Sequence, residues 1–281
     1  MNENINFILM NQLQKIQEAS RFIKSQTEYQ PSIGLILGSG LGDWANQIEN
    51  PTVITYDKIP HFPVSTVSGH KGQFVIGSIQ GKTVIAMQGR PHYYEGYSME
   101  QITFPTRVMN DLGIELLIVT NACGAINPNF YPGALMFISD HINFMGTNPL
   151  IGENFEELGA RFPDMSNIYD KDLIKMGQSL ADKLEIETFT GIYTAVSGPY
   201  YFSKAELAMI RGFGSDTIGM STIPEAIVAT HSGLKVLGIS CVTDMAIPED
   251  LEPLHHDRVV EVANKLKPKF ISLVNEIVKE V

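Results

Sequence analysis

IGLIL, from Ile33 to Leu37, runs directly into GSGLG, from Gly38 to Gly42. Five apolar residues without a polar interruption are of strand length and belong to a strand buried on both faces. Such a strand needs helices over it. Leu13, Ile16, Ala19, Phe22 and Ile23 recur near helical spacing, so residues 10–25 read as an amphipathic helix that covers one face of a sheet. Further strands are expected in QFVIGSI from Gln73, TVIAMQG from Thr83, ELLIVTNA from Glu115, ALMFISD from Ala134, GIYTAV from Gly191, TIGM from Thr217 and KVLGISCVTD from Lys235. Gln80-Gly81 turns a hairpin between the first two. Three helices are announced by capping-box patterns, Ser98-x-x-Gln101, Ser203-x-x-Glu206 and Thr222-x-x-Glu225, and residues 256–281 read as a long amphipathic helix. The expectation is an α/β fold, an α/β/α sandwich on a mixed central sheet, in a single domain over residues 1–281 with its sites at strand carboxyl ends.

Of the 281 residues, 44% are hydrophobic and 18% charged, enough for a substantial core and without the bias of disorder. The net charge of −11 and pI near 5.1 exclude the basic surface that nucleic acid or an anionic membrane would require, which leaves small ligands as partners. Cys123 and Cys241 lie in apolar contexts without metal-ligand spacing and read as core thiols, consistent with a cytoplasmic location and no bound metal. MNENINFILMNQLQKIQEASRFIKS offers no small-residue cleavage site, and its apolar run is too short to span a bilayer, so neither export nor a membrane anchor is expected.

Three segments carry chemistry. In GSGLG, glycines let backbone amides approach an anion and Ser39 adds a hydroxyl. No Gly-Lys-Ser/Thr follows, and Asp43 stands where a dinucleotide fingerprint needs its third glycine, so a turn kept for packing alone explains the segment equally well. In QGRPHYYEGY, residues 88–97, Arg90 and His92 are two apart at a strand end and point to one side, where guanidinium and imidazole suit a phosphate oxyanion. An ordinary salt bridge and a hydrogen-bonded histidine are the alternative, and the density of polar aromatic residues favours function. In GMSTIPE, residues 219–225, a strand runs into a capped helix, which puts Ser221 beside free helix amides.

ILGSGLG, STVSGHKG, QGRPHYYEGY, TNACGAINP, DHINFMGTNPL, RFPDMS and GMSTIPEAIVATHSGLKVLGIS occur in the order in which trimeric purine nucleoside phosphorylases carry similar segments. The chain resembles that family from about Gly34 to Val274, and methylthioadenosine phosphorylases are the related alternative. The resemblance implies a phosphorylase/hydrolase-like fold and phosphorolysis of purine ribonucleosides or deoxyribonucleosides to the base and the pentose 1-phosphate, a purine salvage reaction. Phosphate is the co-substrate and no cofactor is implied. By the same resemblance, Ser39, His70, Arg90, His92, the Ala122 amide and Ser221 hold phosphate. Tyr94, the Met220 backbone and His256 meet the ribose, with His255 as the alternative to His256. Tyr201, Phe202, Thr243 and Asp244 surround the base, Glu95 orients His92, and Phe162 is lent to a neighbouring subunit of a homotrimer.

Two positions depart from the family. Phe202 stands where a glutamate binds the base edge, and Asp244 stands where an asparagine serves N7 and the 6-substituent. Phosphate and ribose chemistry are intact, whereas the base-reading end has changed, with tolerance of 6-aminopurines as the expected direction. Methylthioadenosine cleavage fits Thr243-Asp244 but is opposed by His255-His256, since a histidine suits a 5′-hydroxyl better than a methylthio group. A nucleoside-binding relative without catalysis would have no use for Ser39, Arg90, His92 and Ser221.

Overall fold

The computed structural model of the chain describes residues 10–66 and 71–281, with position 256 described by its backbone alone. In chain order the principal elements are α1 (Gln12–Gln26), β1 (Ile33–Leu37), β2 (Glu49–Thr55), β3 (Gln73–Ile79), β4 (Lys82–Gln88), α2 (Met99–Asp111), β5 (Leu116–Ala125), β6 (Leu135–Asn143), α3 (Lys171–Lys183), β7 (Thr188–Ala195), α4 (Lys204–Gly212), β8 (Thr217–Gly219), α5 (Ile223–His231), β9 (Lys235–Met245) and α6 (His256–Glu280).

The strands form one mixed sheet in the order β2-β3-β4-β1-β5-β8-β7-β6-β9, and β9 also pairs with β5. β1 is buried along its length and lies parallel between β4 and β5, as its apolar run requires. β3 and β4 are the expected hairpin. Gln80 and Gly81, with φ of 52° and 77°, supply the left-handed pair that a two-residue turn needs. α2 packs with both α1 and α5, and α3 packs with α6. Cys123 and Cys241 are buried free thiols. Among the described residues, no helix is long and apolar enough to cross a membrane.

The topology opens a crevice at β5. β1 pairs with β5 only as far as Val119, while β9 follows β5 to Ala125 and β8 joins at Gly124 and Ala125. Between Val119 and Gly124, therefore, one edge of β5 faces neither β1 nor β8. A sheet whose neighbours diverge in this way leaves a ligand site beyond the strand carboxyl ends. Gly38 makes the divergence tight, since a Cβ there would meet the Thr120 carbonyl oxygen and the Asn121 Cα at 2.8 Å.

Two features escape the sequence reading and one local expectation needs correction. β2 is absent from the sequence reading, because ENPTVIT is half exposed and interrupted by Pro51. α1 carries a capping box between Asn11 and Gln14 that the sequence reading passes over. The Thr222-x-x-Glu225 box does not form, since Thr222 adopts φ 74° and ψ −49° and makes no side-chain cap bond. Ser98-Gln101 and Ser203-Glu206 do form theirs.

Gly40 links the first motif to α6. Its φ is 77°, and a Cβ there would lie 2.5 Å from the Ala263 Cβ. Gly81 has the same φ but nothing within 4 Å. Gly81→Ala should cost about 1–2 kcal/mol from backbone strain alone, and Gly40→Ala measurably more because α6 must shift. Thermal denaturation of the two variants checks this, and equal melting temperatures would remove the contact from the account.

Candidate active site

A cavity of about 780 Å³ fills the crevice, with Ser39, Arg90, His92, Tyr94, Ala122, Tyr201, Phe202, Met220, Ser221, Thr243 and Asp244 in its lining. The structure thus brings together residues from six separate sequence segments.

Arg90 leaves the end of β4 and is 2% exposed. Its Nη1 donates to Glu225 Oε1 at 3.0 Å, and its Nη2 donates to the Thr120 carbonyl at 3.0 Å, Ser221 Oγ at 2.8 Å and Thr222 Oγ1 at 3.2 Å. The left-handed turn at Thr222 aims its hydroxyl at this guanidinium, where it also accepts from Asn121 Nδ2 at 3.0 Å. Glu225 is 3% exposed and sits in the first turn of α5. Its role is the buried counter-ion of Arg90 rather than the helix cap read from its spacing. Removing one member of such a pair strands the other charge and typically costs about 3–5 kcal/mol.

His92 is 7% exposed, with Nδ1 3.0 Å from Glu95 Oε1. The same oxygen accepts from the His92 backbone N–H at 2.7 Å, and Glu95 Oε2 accepts from the Thr66 N–H at 2.6 Å and hydroxyl at 2.7 Å. Burial pushes the Glu95 carboxyl up, but the bonds from His92 and Thr66 outweigh it and bring its pKa down to about 2. Burial also holds His92 below its usual pKa, against the pull of Glu95. In a neutral ring the carboxylate selects the Nδ1–H tautomer and leaves Nε2 as an acceptor. Tyr94 stacks on His92 with centroids 4.7 Å apart, and burial raises its phenol to about 12.

The opposite end combines an apolar wall with the Asp244 carboxyl, and Asp250, Glu252 and Arg258 also line the cavity. Phe202 packs with Ile126, Leu207, Ile210, Ile218 and Ala246. Thr243 Oγ1 lies 2.8 Å from Asp244 Oδ1 and 3.1 Å from the Cys123 carbonyl oxygen. Burial pushes the Asp244 carboxyl above its usual pKa, against the bond from Thr243 and the charge of Arg258. Gly124 makes room for it, because a Cβ there would stand 2.9 Å from Asp244 Oδ2.

Other expected residues fall elsewhere. Glu95 stands behind His92 and forms no part of the cavity wall. Phe162 is 89% exposed, outside the cavity, with the Arg161 guanidinium 5.6 Å from its ring centroid. His255 is exposed at the start of α6, whereas His70 and the His256 side chain lie outside the described residues. Sequence reasoning missed the pairing of Glu225, the hydroxyl of Thr222, and Arg258 in the cavity wall. An acidic residue in an otherwise apolar helix, IPEAIVATH, was the available signal for Glu225.

Residues 32–279 match the model of the phosphorylase superfamily. The chain is 56% identical over 266 residues to purine nucleoside phosphorylase 1 of Bacillus subtilis (strain 168), covering 95% of this chain and 98% of that protein. It is 42% identical to purine nucleoside phosphorylase of Bos taurus, covering 92% and 93% of the two chains. The crystal structure of Schistosoma mansoni purine nucleoside phosphorylase in complex with adenosine superposes with a TM-score of 0.90 at 36% identity, covering 95% of this chain and 96% of that one. The Schistosoma mansoni complex with inosine gives a TM-score of 0.91, also at 36% identity and with the same coverage.

The buried carboxyl at Asp244 has a cost that depends on pH. Folding raises its pKa, so the ionised form destabilises the folded state above that pKa, and the cost fades as pH falls towards the unfolded value of about 3.9. Asp244→Asn should raise the melting temperature near neutral pH, with a gain that shrinks on acidification. Melting curves of both proteins across that range test it, and a gain independent of pH would assign the effect to packing.

Proposed function

The chain belongs to the phosphorylase superfamily and has the activity of a purine nucleoside phosphorylase, a pentosyltransferase, and we propose a division of that activity among its residues. The observation that carries the proposal is one cavity with an ionic, hydroxyl-rich end around Arg90 and an apolar end closed by Asp244. At about 780 Å³ it is the size of a site for a small ligand.

Phosphate sits between the Ser39 turn, the Ala122 amide, Arg90, His92 and Ser221, with His70 beside it. Glu225 offsets much of the charge of Arg90, so binding relies on fixed donors that need no rearrangement as charge develops. Neutral His92, held by Glu95 through Nδ1, presents Nε2 to take the proton of a monoanionic phosphate as that phosphate attacks C1′. Tyr94, the Met220 backbone and His256, or His255, hold the ribose so that attack comes from the face opposite the departing purine. The base gains electron density at N7 as the glycosidic bond breaks. Tyr201 and Phe202 pack around the base, and the Asp244 carboxyl, beside Thr243, meets N7 and the 6-substituent.

The reaction transfers a pentosyl group to phosphate without an electron carrier or covalent enzyme intermediate, and it requires no cofactor. Residues 1–281 act as one catalytic domain. Assembly is a homotrimer in which Phe162 completes the nucleoside pocket of a neighbour, and the setting is cytoplasmic purine salvage. Methylthioadenosine is the weaker second substrate reading, favoured by the Thr243-Asp244 pair and by Phe202 in place of a glutamate, and opposed by His255-His256.

Cleavage of nucleoside should depend strictly on phosphate, because the residues around Arg90 have no use in simple hydrolysis. Product formation at the same rate in phosphate-free buffer would overturn this.

Asp244 also generates a specificity prediction. An ionised carboxylate only accepts hydrogen bonds, so it favours N7–H with a 6-amino group and repels a 6-oxo oxygen. Phe202 offers no acceptor for N1–H of hypoxanthine or guanine. Adenosine should therefore be a good substrate, and Asp244→Asn should move the kcat/KM ratio towards inosine by about 1–3 kcal/mol. Assays with inosine, guanosine, adenosine and methylthioadenosine measure the ratio. A strong preference for inosine that Asp244→Asn leaves untouched would remove the carboxylate from base reading.

A further inference from the structure

Phe162 is almost fully exposed, yet the backbone leading to it is held by two buried nitrogen-donor side chains that the catalytic account does not use. Arg107, on α2, is 4% exposed, and its Nη1 donates to the Leu158 carbonyl at 3.1 Å and to Ser232 Oγ at 2.9 Å. His231, the last residue of α5, is 8% exposed, and its Nε2 lies 2.9 Å from the Ala160 carbonyl oxygen. A carbonyl only accepts, so Nε2 carries the hydrogen. Between these two carbonyls stands Gly159, at φ 140°, where a Cβ would meet the His231 carbonyl oxygen at 2.2 Å and its ring Nε2 at 2.8 Å. The segment is therefore pressed onto the end of α5 and bonded on both sides of the contact.

The other end of α5 begins with Thr222 and Glu225, which grip Arg90. Nine residues separate the ends, Ile223–His231, or about 13 Å at 1.5 Å per residue. One short helix thus spans from the phosphate end of its own cavity to the backbone that carries Phe162.

We propose that Arg107 and His231 are positioning residues for the nucleoside site of a neighbouring copy: they fix the backbone from Leu158 to Ala160 and so determine where Phe162 stands, with α5 referencing that position to Arg90. The proposal rests on the reading that Phe162 enters a neighbour's pocket. A purely structural role for the two side chains would change stability and affect both substrates alike. A positioning role falls on the nucleoside and disappears when the ring it positions is gone.

The experiment compares Phe162→Ala, His231→Ala and Arg107→Met in the full-length protein. Conservative variants His231→Gln and Arg107→Lys each retain an N–H donor. Initial rates are measured with inosine and phosphate varied separately, and assembly is followed by sedimentation. His231→Ala and Arg107→Met should raise KM for inosine by about tenfold to a hundredfold while leaving KM for phosphate within about twofold and assembly intact, and the conservative variants should recover most of the loss. In a Phe162→Ala background, His231→Ala should add nothing to KM for inosine, because coupled residues are not additive. If Arg107→Met does not fold, Ser232→Ala, which removes only one of its acceptors, should give the same split in smaller measure. A silent Phe162→Ala would reject the underlying reading. A clear effect of Phe162→Ala beside unchanged inosine KM in the other variants, or equal losses for both substrates, would reject the positioning role.

Discussion

A guanidinium that is 2% exposed is costly to bury without a counter-charge, and the pairing of Arg90 with Glu225 at 3.0 Å organises much of what surrounds it. Glu225 must come from the first turn of a helix, so α5 has to begin at the cavity. For it to begin there, the chain leaving β8 turns through Thr222 in a left-handed conformation that a β-branched residue otherwise avoids. The strain is offset locally, because that turn directs the Thr222 hydroxyl to Arg90 and to Asn121. Ser221 is brought to 2.8 Å from the same guanidinium. Geometry at Ser221, Thr222 and Glu225 thus follows from satisfying one buried charge.

The same economy of charge governs the His92 side. Glu95 accepts four bonds from His92 and Thr66, which is why its carboxyl remains ionised far below the usual range despite burial. A fixed carboxylate on Nδ1 sets the imidazole tautomer and its plane, and Tyr94 stacked at 15° keeps that plane from rotating. The two imidazole nitrogens are therefore not equivalent. Nδ1 is committed to Glu95, which fixes the ring's orientation in the cavity wall.

The sheet and its helices were legible because burial leaves a periodic record: IGLIL appears as β1, and the apolar stripe of residues 256–281 as α6. β2 left no such record, since a half-exposed edge strand needs no apolar run. Residues of the cavity were legible where a motif crowded several polar types together, as in QGRPHYYEGY. Glu225 was misread because a cap and an ion-pair partner look alike in sequence, and only the backbone angle at Thr222 separates them. Arg107 and His231 were invisible for a different reason: their partners are carbonyls at Leu158 and Ala160, and a backbone acceptor carries no residue identity.

Phe202 and Asp244 gain meaning when taken together. In the purine nucleoside phosphorylases that the chain resembles, the first position is a glutamate and the second an asparagine, so the base end holds one carboxylate and one amide. Exchanging asparagine for aspartate alone would put two carboxylates around one base, and like charges held close together raise each other's pKa and disfavour ionisation. Phenylalanine at 202 removes that conflict. It also completes an apolar wall with Leu207, Ile218 and Ala246, and the burial that contributes to this wall pushes the Asp244 carboxyl upward. Burial disfavours the ionised form of the Asp244 carboxyl, and in the proposed arrangement a proton at N7 would offset that cost as the base departs. In the proposed arrangement the two substitutions keep one carboxylate at the base end and move it from the edge of the purine towards N7.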